Sequence, residues 1–204
     1  MAAHSHTTAA DEVTPSYDLV VSLGTDYHKF DRLVQWVDAY LAQHPELTCL
    51  FQHGFTDPPQ RATATVDRMP RKELLKIYEA SKVVLVQGGP GSILDAREVG
   101  VIPLAVPRVA ELDEVVDNHQ VEFSKVMESY GETIIVHDAA DLAAKIDAAL
   151  ADPSMVAGSY RVPGADTAAA ELARAFETFA PSPGHDVRKF VRRWGQVLRG
   201  MAGR

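Results

Sequence analysis

"KVVLVQGGPGSILD" (residues 82–95) is the stretch that decides the fold. Its first five residues are an apolar run without alternation, which is typical of a strand buried on both faces of a parallel sheet. Gly88, Gly89 and Gly91 then predict a turn, and Ser92 is predicted to open a helix, as its cap or as a phosphate donor. A glycine-rich turn before a helix favours anion binding, because phosphate can approach the backbone and the helix end supplies free N–H groups. The same glycines would also suit a tight turn without a ligand.

Two common phosphate-binding motifs are excluded for this turn. It has no Gly-Lys-Ser/Thr, so it is not a Walker A loop. A GxGxxG fingerprint starting at Gly89 would need glycine at position 94, where the sequence has Leu94.

The rest of the chain alternates between strand and helix patterns. Predicted strands cover 18–23, 47–52, 62–66, 82–86, 102–106 and 133–136. A loop is predicted to join the second and third strands, and a helix is predicted after each of the others, the last over 138–152. This alternation predicts an α/β fold, a Rossmann-like parallel sheet with helices on both faces. Ligands of such sheets bind beyond the carboxyl ends of the strands, where the loops 24–28, 52–57 and 87–92 are expected to lie together.

Composition and pattern divide the chain into three parts. Residues 1–16 are predicted to be a flexible arm without the apolar core of a signal peptide, 17–150 the sheet domain, and 151–204 a linker with C-terminal helices. No run is apolar enough for a transmembrane helix, and Cys49 in "LTCLF" is expected to be a buried thiol. A cytoplasmic location is therefore expected.

Charge is distributed unevenly along the sequence. Residues 181–204 carry six basic residues and one aspartate; subtracting that +5 from the net −8 leaves −13 for the other 180 residues. An acidic body argues against broad nucleic-acid binding. The pattern of the tail segment 185–201 predicts a basic amphipathic helix that would contact an anionic membrane surface or a partner's groove. Folding back onto the acidic body is the alternative.

Several spaced motifs carry a family resemblance over roughly residues 17–150. "GGPGSILDAREVGVIPLAVPR" followed by "DEVVDNHQVEF" resembles the glycosyltransferase family 28 C-terminal domain, the donor-binding half of GT-B enzymes. The similarity is greatest to small stand-alone members, such as those of asparagine-linked glycosylation and the PssE-type exopolysaccharide subunits. "VSLGTDYHKFDRLV" looks like the family's opening strand, Gly-Thr and helix.

The resemblance implies a binding site for a nucleotide sugar, a UDP-sugar in particular. It assigns substrate contacts to residues that follow the strands or open the helices: Gly24, Thr25, His53, Gly88, Gly89, Gly91, Ser92, Asp95, Arg108, Asp117, Asn118 and Gln120. Within this set, Asp95 would accept from the ribose and His53 would lie near the base. Glu114 and His119 are the catalytic candidates. Thr25 and Asp117 could instead cap helices, and His53 could be a solvated loop residue.

Two positions depart from the family pattern. Gln87 stands where the family usually has histidine, and its amide cannot carry a proton as an imidazole does. Asp95 replaces the usual glutamate and is one methylene shorter.

The resemblance also implies a partner, because GT-B enzymes place the acceptor on a second domain. That partner would be a membrane-anchored, PssD-like acceptor subunit acting on a lipid-linked sugar. A non-catalytic nucleotide-sugar-binding or regulatory subunit and a self-contained enzyme of another class are the alternatives. No metal or other cofactor is expected, since the sequence has no Asp-x-Asp and no core His/Cys cluster.

Overall fold

The computed structural model describes residues 14–161. Six parallel strands form one sheet in the order β3-β2-β1-β4-β5-β6, and five helices connect or follow them. The strands are β1 Leu19–Ser22, β2 Cys49–Gln52, β3 Ala64–Val66, β4 Val83–Gln87, β5 Leu104–Val106 and β6 Ile134–Ile135. The helices are α1 Asp31–Gln43, α2 Arg71–Ala80, α3 Pro90–Glu98, α4 His119–Ser129 and α5 Ala139–Ala151. The predicted Rossmann-like α/β fold is confirmed.

Helices cover both faces of the sheet, as the unbroken apolar strands predict. Leu19, Val21 and Leu85 pack in one cluster with side chains of α1 and α5. Val20, Val84 and Val86 point to the other face, where they pack with side chains of α2, α3 and α4. Every residue of β1, β2 and β4 is buried, so these central strands have no solvated face.

The amino edge of the sheet is held by Asp18. Its Oδ2 accepts from the backbone N–H (2.8 Å) and the hydroxyl (2.7 Å) of Thr48, and its Oδ1 pairs with Lys82 Nζ at 2.7 Å. The three residues precede β1, β2 and β4, so one carboxylate joins the starts of the three central strands.

Residues 151–161, predicted from sequence to begin a linker, pack onto this domain. Pro153–Val156 form a short 3-10 helix whose Val156 is buried. Ala157 then makes an antiparallel bridge with Val101, and Arg161 donates its backbone N–H to the carbonyl of Arg97 at 3.0 Å. The predicted N-terminal arm up to residue 13 and the basic tail lie outside the described residues. Within 14–161, no helix has the length and apolar character needed to cross a bilayer.

One local prediction was wrong. Helix α3 begins at Pro90, not at Ser92, and its N-cap is Gly89. Proline is favoured at the first helical position because its ring already has a helical φ and the missing N–H would have no intrahelical acceptor. Ser92 is therefore the third helical residue and does not cap the helix.

Candidate functional site

The strand order has a single reversal point, between β1 and β4. From β1 the chain moves outward through β2 and β3, and then returns to place β4 on the other side of β1. The loops that follow β1 and β4 must therefore diverge to opposite faces and leave a crevice between them. Gly24 follows β1, and Gly88, Gly89 and Gly91 follow β4, so these glycines flank the crevice; contact with a ligand stays a prediction.

Gln87 connects the two loops. Gly24 has a φ of +73°, and a Cβ built on it would collide with the side-chain amide of Gln87. The same amide nitrogen would lie 3.1 Å from a Cβ on Gly89. Gln87 is 8% exposed, and its Oε1 has no hydrogen-bond partner among residues 14–161. Glycine at 24 and 89 thus allows a buried polar side chain to lie between the two loops.

The glycines of the loop after β4 have different structural roles. A Cβ on Gly88 would lie 2.6 Å from Ser124 Oγ on α4 and 2.9 Å from Pro107 Cα, so Gly88 is required for packing. A Cβ on Gly91, in contrast, would meet nothing within 4 Å. Gly91 and Ser92 are in the first turn of α3, where backbone N–H groups have no intrahelical acceptor. An anion approaching Gly91 would meet these N–H groups and the positive end of the helix dipole.

An open cleft of about 400 Å³ lies beside this helix end. It runs between the start of α3 and one side of α4, and its lining residues are Pro90, His119, Gln120, Glu122, Phe123 and Val126. The predicted site residues His119 and Gln120 therefore line the same cleft as Pro90, the first residue of α3.

Arg108 and Glu114 are both buried. The Arg108 side chain, 1% exposed, donates from Nη1 to the carbonyls of His28 (2.8 Å) and Glu114 (3.0 Å) and from Nη2 to that of Leu23 (3.2 Å). Both Glu114 oxygens accept from Arg32, at 2.9 and 2.8 Å. These contacts give the two residues a role in holding the loops; ligand contact by Arg108 and catalysis by Glu114 stay predictions.

The start of α4 is arranged by its own polar residues. Asp117 Oδ1 accepts from the His119 backbone at 3.0 Å and lies 2.6 Å from His119 Nδ1, and these hydrogen bonds hold the pKa of the Asp117 carboxyl below its ordinary value. Asn118 instead joins residues 110 and 111 to the helix. Gln120 Oε1 accepts from the Arg108 N–H at 3.4 Å. The His119 side chain is 90% exposed, which leaves its ring open to the cleft.

The remaining predicted residues lie around the rim. Asp95 Oδ1 pairs with Arg71 at 2.8 Å, and the same guanidinium also binds Glu98. His53 Nδ1 lies 2.8 Å from the Thr56 carbonyl, which fits a loop-shaping role. Thr25 is exposed, next to Gly24. Base and ribose recognition by these residues stays a prediction.

The sequence analysis missed Asp26 and His28, which lie in the loop after β1. Asp26 Oδ1 lies 2.6 Å from His28 Nδ1 and accepts from the His28 backbone N–H at 2.8 Å. The Asp-x-His spacing in a loop at the carboxyl edge was the available signal.

Comparison with known proteins identifies the family. The model of the glycosyltransferase family 28 C-terminal domain matches residues 24–161. The chain belongs to this family. The matched region thus includes the loops after β1 and β4, the cleft, and the segment that packs onto the domain after α5. No protein of curated function matches the sequence significantly.

Solved structures share the fold at low identity. A glycotransferase of kitacinnamycin matches with a TM-score of 0.53 and 17% identity over 76% of this chain. A UDP-GlcNAc 2-epimerase of Methanocaldococcus jannaschii, solved with UDP-GlcNAc and UDP, matches with a TM-score of 0.54 and 11% identity over 81%. The chain spans 40% and 47% of the length of these two proteins. Both similarities show the fold alone.

Proposed function

We propose that this family 28 domain binds a nucleotide sugar, a UDP-sugar in particular, as the donor half of a glycosyltransferase. The observation that carries the proposal is the open first turn of α3 at the β1/β4 crevice, where a Cβ on Gly91 would meet nothing. A diphosphate bound there would be stabilised by backbone N–H groups, which also suit the negative charge that grows on it as the sugar leaves. Gly24, Gly89 and Ser92 would lie next to it.

The proposal extends to the acceptor side of the reaction. Transfer needs a second surface that presents a hydroxyl to the anomeric carbon, and residues 14–161 form one sheet domain. We infer that a membrane-anchored, PssD-like subunit supplies it and that the acceptor is a lipid-linked sugar or a growing polysaccharide. The family 28 chain would then work in the cytoplasm, peripherally at the membrane. Co-purification with and without membranes tests this arrangement, and loss of all association would count against it.

Titration calorimetry with UDP and a panel of UDP-hexoses tests the donor site. Gly91→Val is expected to abolish binding, because its side chain would fill the space of the phosphate. Ala140→Val is the matched control: it also lies at the second position of a helix, α5, and is exposed, but α5 follows the edge strand β6. Equal affinity in wild type and Gly91→Val would contradict the site.

We expect donor binding to be independent of divalent metal, because the N–H groups of α3 would neutralise the diphosphate. Among the described residues, no three His, Cys, Asp or Glu side chains cluster as a metal site would require. The same titration repeated in excess EDTA should give the same affinity. A loss that added Mg²⁺ or Mn²⁺ restored would contradict this expectation.

A second candidate function is binding without turnover. Gln87, at the usual histidine position, cannot exchange a proton, and this observation favours a regulatory or binding subunit. Measuring UDP release from UDP-sugars, alone and with a membrane fraction, separates the two. Tight binding with no release under either condition would support the second function.

A further inference from the structure

The loop between β1 and α1 holds a paired histidine and aspartate. Nδ1 of His28 lies 2.6 Å from Oδ1 of Asp26, and both side chains are partly accessible, at 19% and 27% exposure. The exposed ring of Tyr27 stacks on the imidazole with 4.1 Å between centroids. The imidazole of His28 is thus held by Asp26 at Nδ1 and by Tyr27 on its ring face, and it is still accessible to solvent.

The charge of Asp26 determines which ring nitrogen is protonated. Burial alone would raise the pKa of the Asp26 carboxyl, but hydrogen bonds from the backbone and ring of His28 and the charge of Arg108 outweigh it. The pKa is therefore lowered, and the carboxylate is ionised at neutral pH and can only accept. Nδ1 of a neutral His28 must then carry the proton, which leaves a lone pair on Nε2. No residue between 14 and 161 makes a hydrogen bond to Nε2.

Buried contacts hold this loop at the edge of the crevice. The Arg108 guanidinium donates hydrogen bonds to the carbonyls of Leu23 and His28, at the two ends of the loop. Thr56 Oγ1 accepts from the Phe30 N–H at 3.0 Å, which joins the loop to the one after β2. Lys29 is paired with Asp57 at 2.8 Å and so does not compete for Asp26. The imidazole is therefore held on the loop that also contains Gly24 and Thr25.

We propose that His28 is the general base of sugar transfer and that Asp26 positions it. The acceptor hydroxyl would give its proton to Nε2 of His28 as its oxygen forms a bond to the anomeric carbon. The bond between that carbon and the diphosphate oxygen breaks, and its electron pair leaves with the nucleoside diphosphate. The inference rests on the proposed function, and it gives the donor-binding chain a group that GT-B enzymes usually hold on the other half.

The test separates donor binding from chemistry in the full chain. Calorimetry with UDP comes first: no binding by wild type would refute the proposed function itself. With binding established, His28→Ala and His28→Gln are expected to keep the affinity for UDP. The rate of UDP release from the UDP-hexose that binds, measured with a membrane fraction as acceptor source, is expected to fall about 10²–10⁴-fold. Free imidazole should restore part of the His28→Ala rate.

His44→Ala is the matched control. Its ring also stacks on a tyrosine, Tyr40, at 4.3 Å and faces a carboxylate, Glu46, at 3.5 Å, but it lies at the far end of α1. This variant should keep the full rate. Asp26→Asn should lower kcat and leave KM for the donor unchanged, as expected for a residue that only orients the base. An unchanged rate in both His28 variants would overturn the proposal, whereas a loss of UDP affinity equal to the loss of rate would show a binding role instead.

The protonation state of the ring provides a test that needs no turnover. Two-bond ¹H–¹⁵N NMR spectra of the full chain distinguish a protonated Nδ1 from a protonated Nε2. We expect His28 to be protonated at Nδ1 in the wild type and to lose this preference in Asp26→Asn. A wild-type His28 protonated at Nε2 would overturn the proposal.

Discussion

Gln87 and Gly24 depend on each other at the centre of the site. Only a residue without a side chain leaves room for the Gln87 amide, and the φ of +73° at Gly24 adds a second requirement for glycine. The Gln87 side chain is thus packed directly against Gly24, between the two loops of the crevice. Replacing either residue should affect stability and ligand binding together.

Gly24→Ala is predicted to destabilise the protein by two separable effects. The left-handed backbone alone should cost about 1–2 kcal/mol, and the collision with Gln87 adds to it. Gly131→Ala isolates the first effect, since Gly131 has a φ of +69° and nothing within 4 Å of a built Cβ. Urea unfolding should show a larger loss for Gly24→Ala than for Gly131→Ala. In a Gln87→Ala background, the Gly24→Ala loss should shrink to the Gly131→Ala value; equal losses with and without Gln87 would contradict the collision.

The sequence could not show where each side chain points or which groups it contacts. The strand pattern predicted that the loop with Gly91 lies at the carboxyl edge, because loops after parallel strands share one edge, and the structure has Gly91 in the first turn after β4. Ligand contact by Gly91 and by His119, which the family resemblance suggested, stays a prediction. Arg108 and Glu114 have types that suit a ligand, yet both are buried and paired, and only their contacts reveal this. The Asp26–His28 pair was missed because spacing within a loop does not say whether two side chains meet.

At the level of elements, the boundaries followed closely from the apolar runs. Helix α2 was predicted over 71–81 and covers Arg71–Ala80, and the strand predicted over 82–86 covers Val83–Gln87. The start of α3 was wrong because serine is a strong capping residue and proline at the first helical position was overlooked. Strand β6 is only two residues long, shorter than its apolar run, and pairs with β5 alone.

Asp18 yields a prediction for the central strands. Hydrogen bonds from Lys82, and then from Thr48, lower the pKa of its carboxyl to about 2 from an ordinary 3.8. Asp18→Asn should lower the free energy of unfolding at pH 7 by about 1–2 kcal/mol. Because the folded pKa is the lower one, this stabilisation is complete above about pH 5 and is lost progressively as the pH falls from there through the folded pKa of about 2. Urea unfolding at pH 7, 5 and 3 should show the difference between wild type and variant narrowing at pH 3.

Asp57→Asn is the control for that experiment. Asp57 also pairs with a lysine at 2.8 Å, but its side chain is 84% exposed, so its ion pair should contribute little. A loss as large as that of Asp18→Asn would mean that the charge itself, not the junction of three strands, is responsible.

At the scale of the whole molecule, the contrast between the basic segment 181–204 and the acidic remainder of the sequence suggests a test of the proposed membrane contact. The tail lies outside the described residues, so the prediction rests on the sequence. We expect Trp194 emission to shift to the blue when vesicles containing anionic lipid are added and to stay unchanged with neutral vesicles. The Trp36→Phe background removes the only other tryptophan and keeps a ring under Arg32, which lies 4.8 Å from it.

The same fluorescence measurement can also contradict membrane binding. Trp194 emission that is blue-shifted before vesicles are added, resists quenching and does not respond to anionic vesicles would contradict the prediction that the tail binds a membrane. The tail would then fold onto a protein surface, its own or a partner's.

The pairing of β1 with both β2 and β4 has a consequence for the chain as it is made. Leu19 pairs with Cys49 on one side and with Val83 on the other, so a nascent chain completes one side of β1 well before the other. At about 5–20 residues per second, the ribosome needs about 2–7 s to advance from the end of β2 to the end of β4. During that interval β1 is an apolar strand with an open edge, the kind of surface that aggregates or recruits chaperones. The crevice between the loops that follow β1 and β4 is complete only when that edge closes.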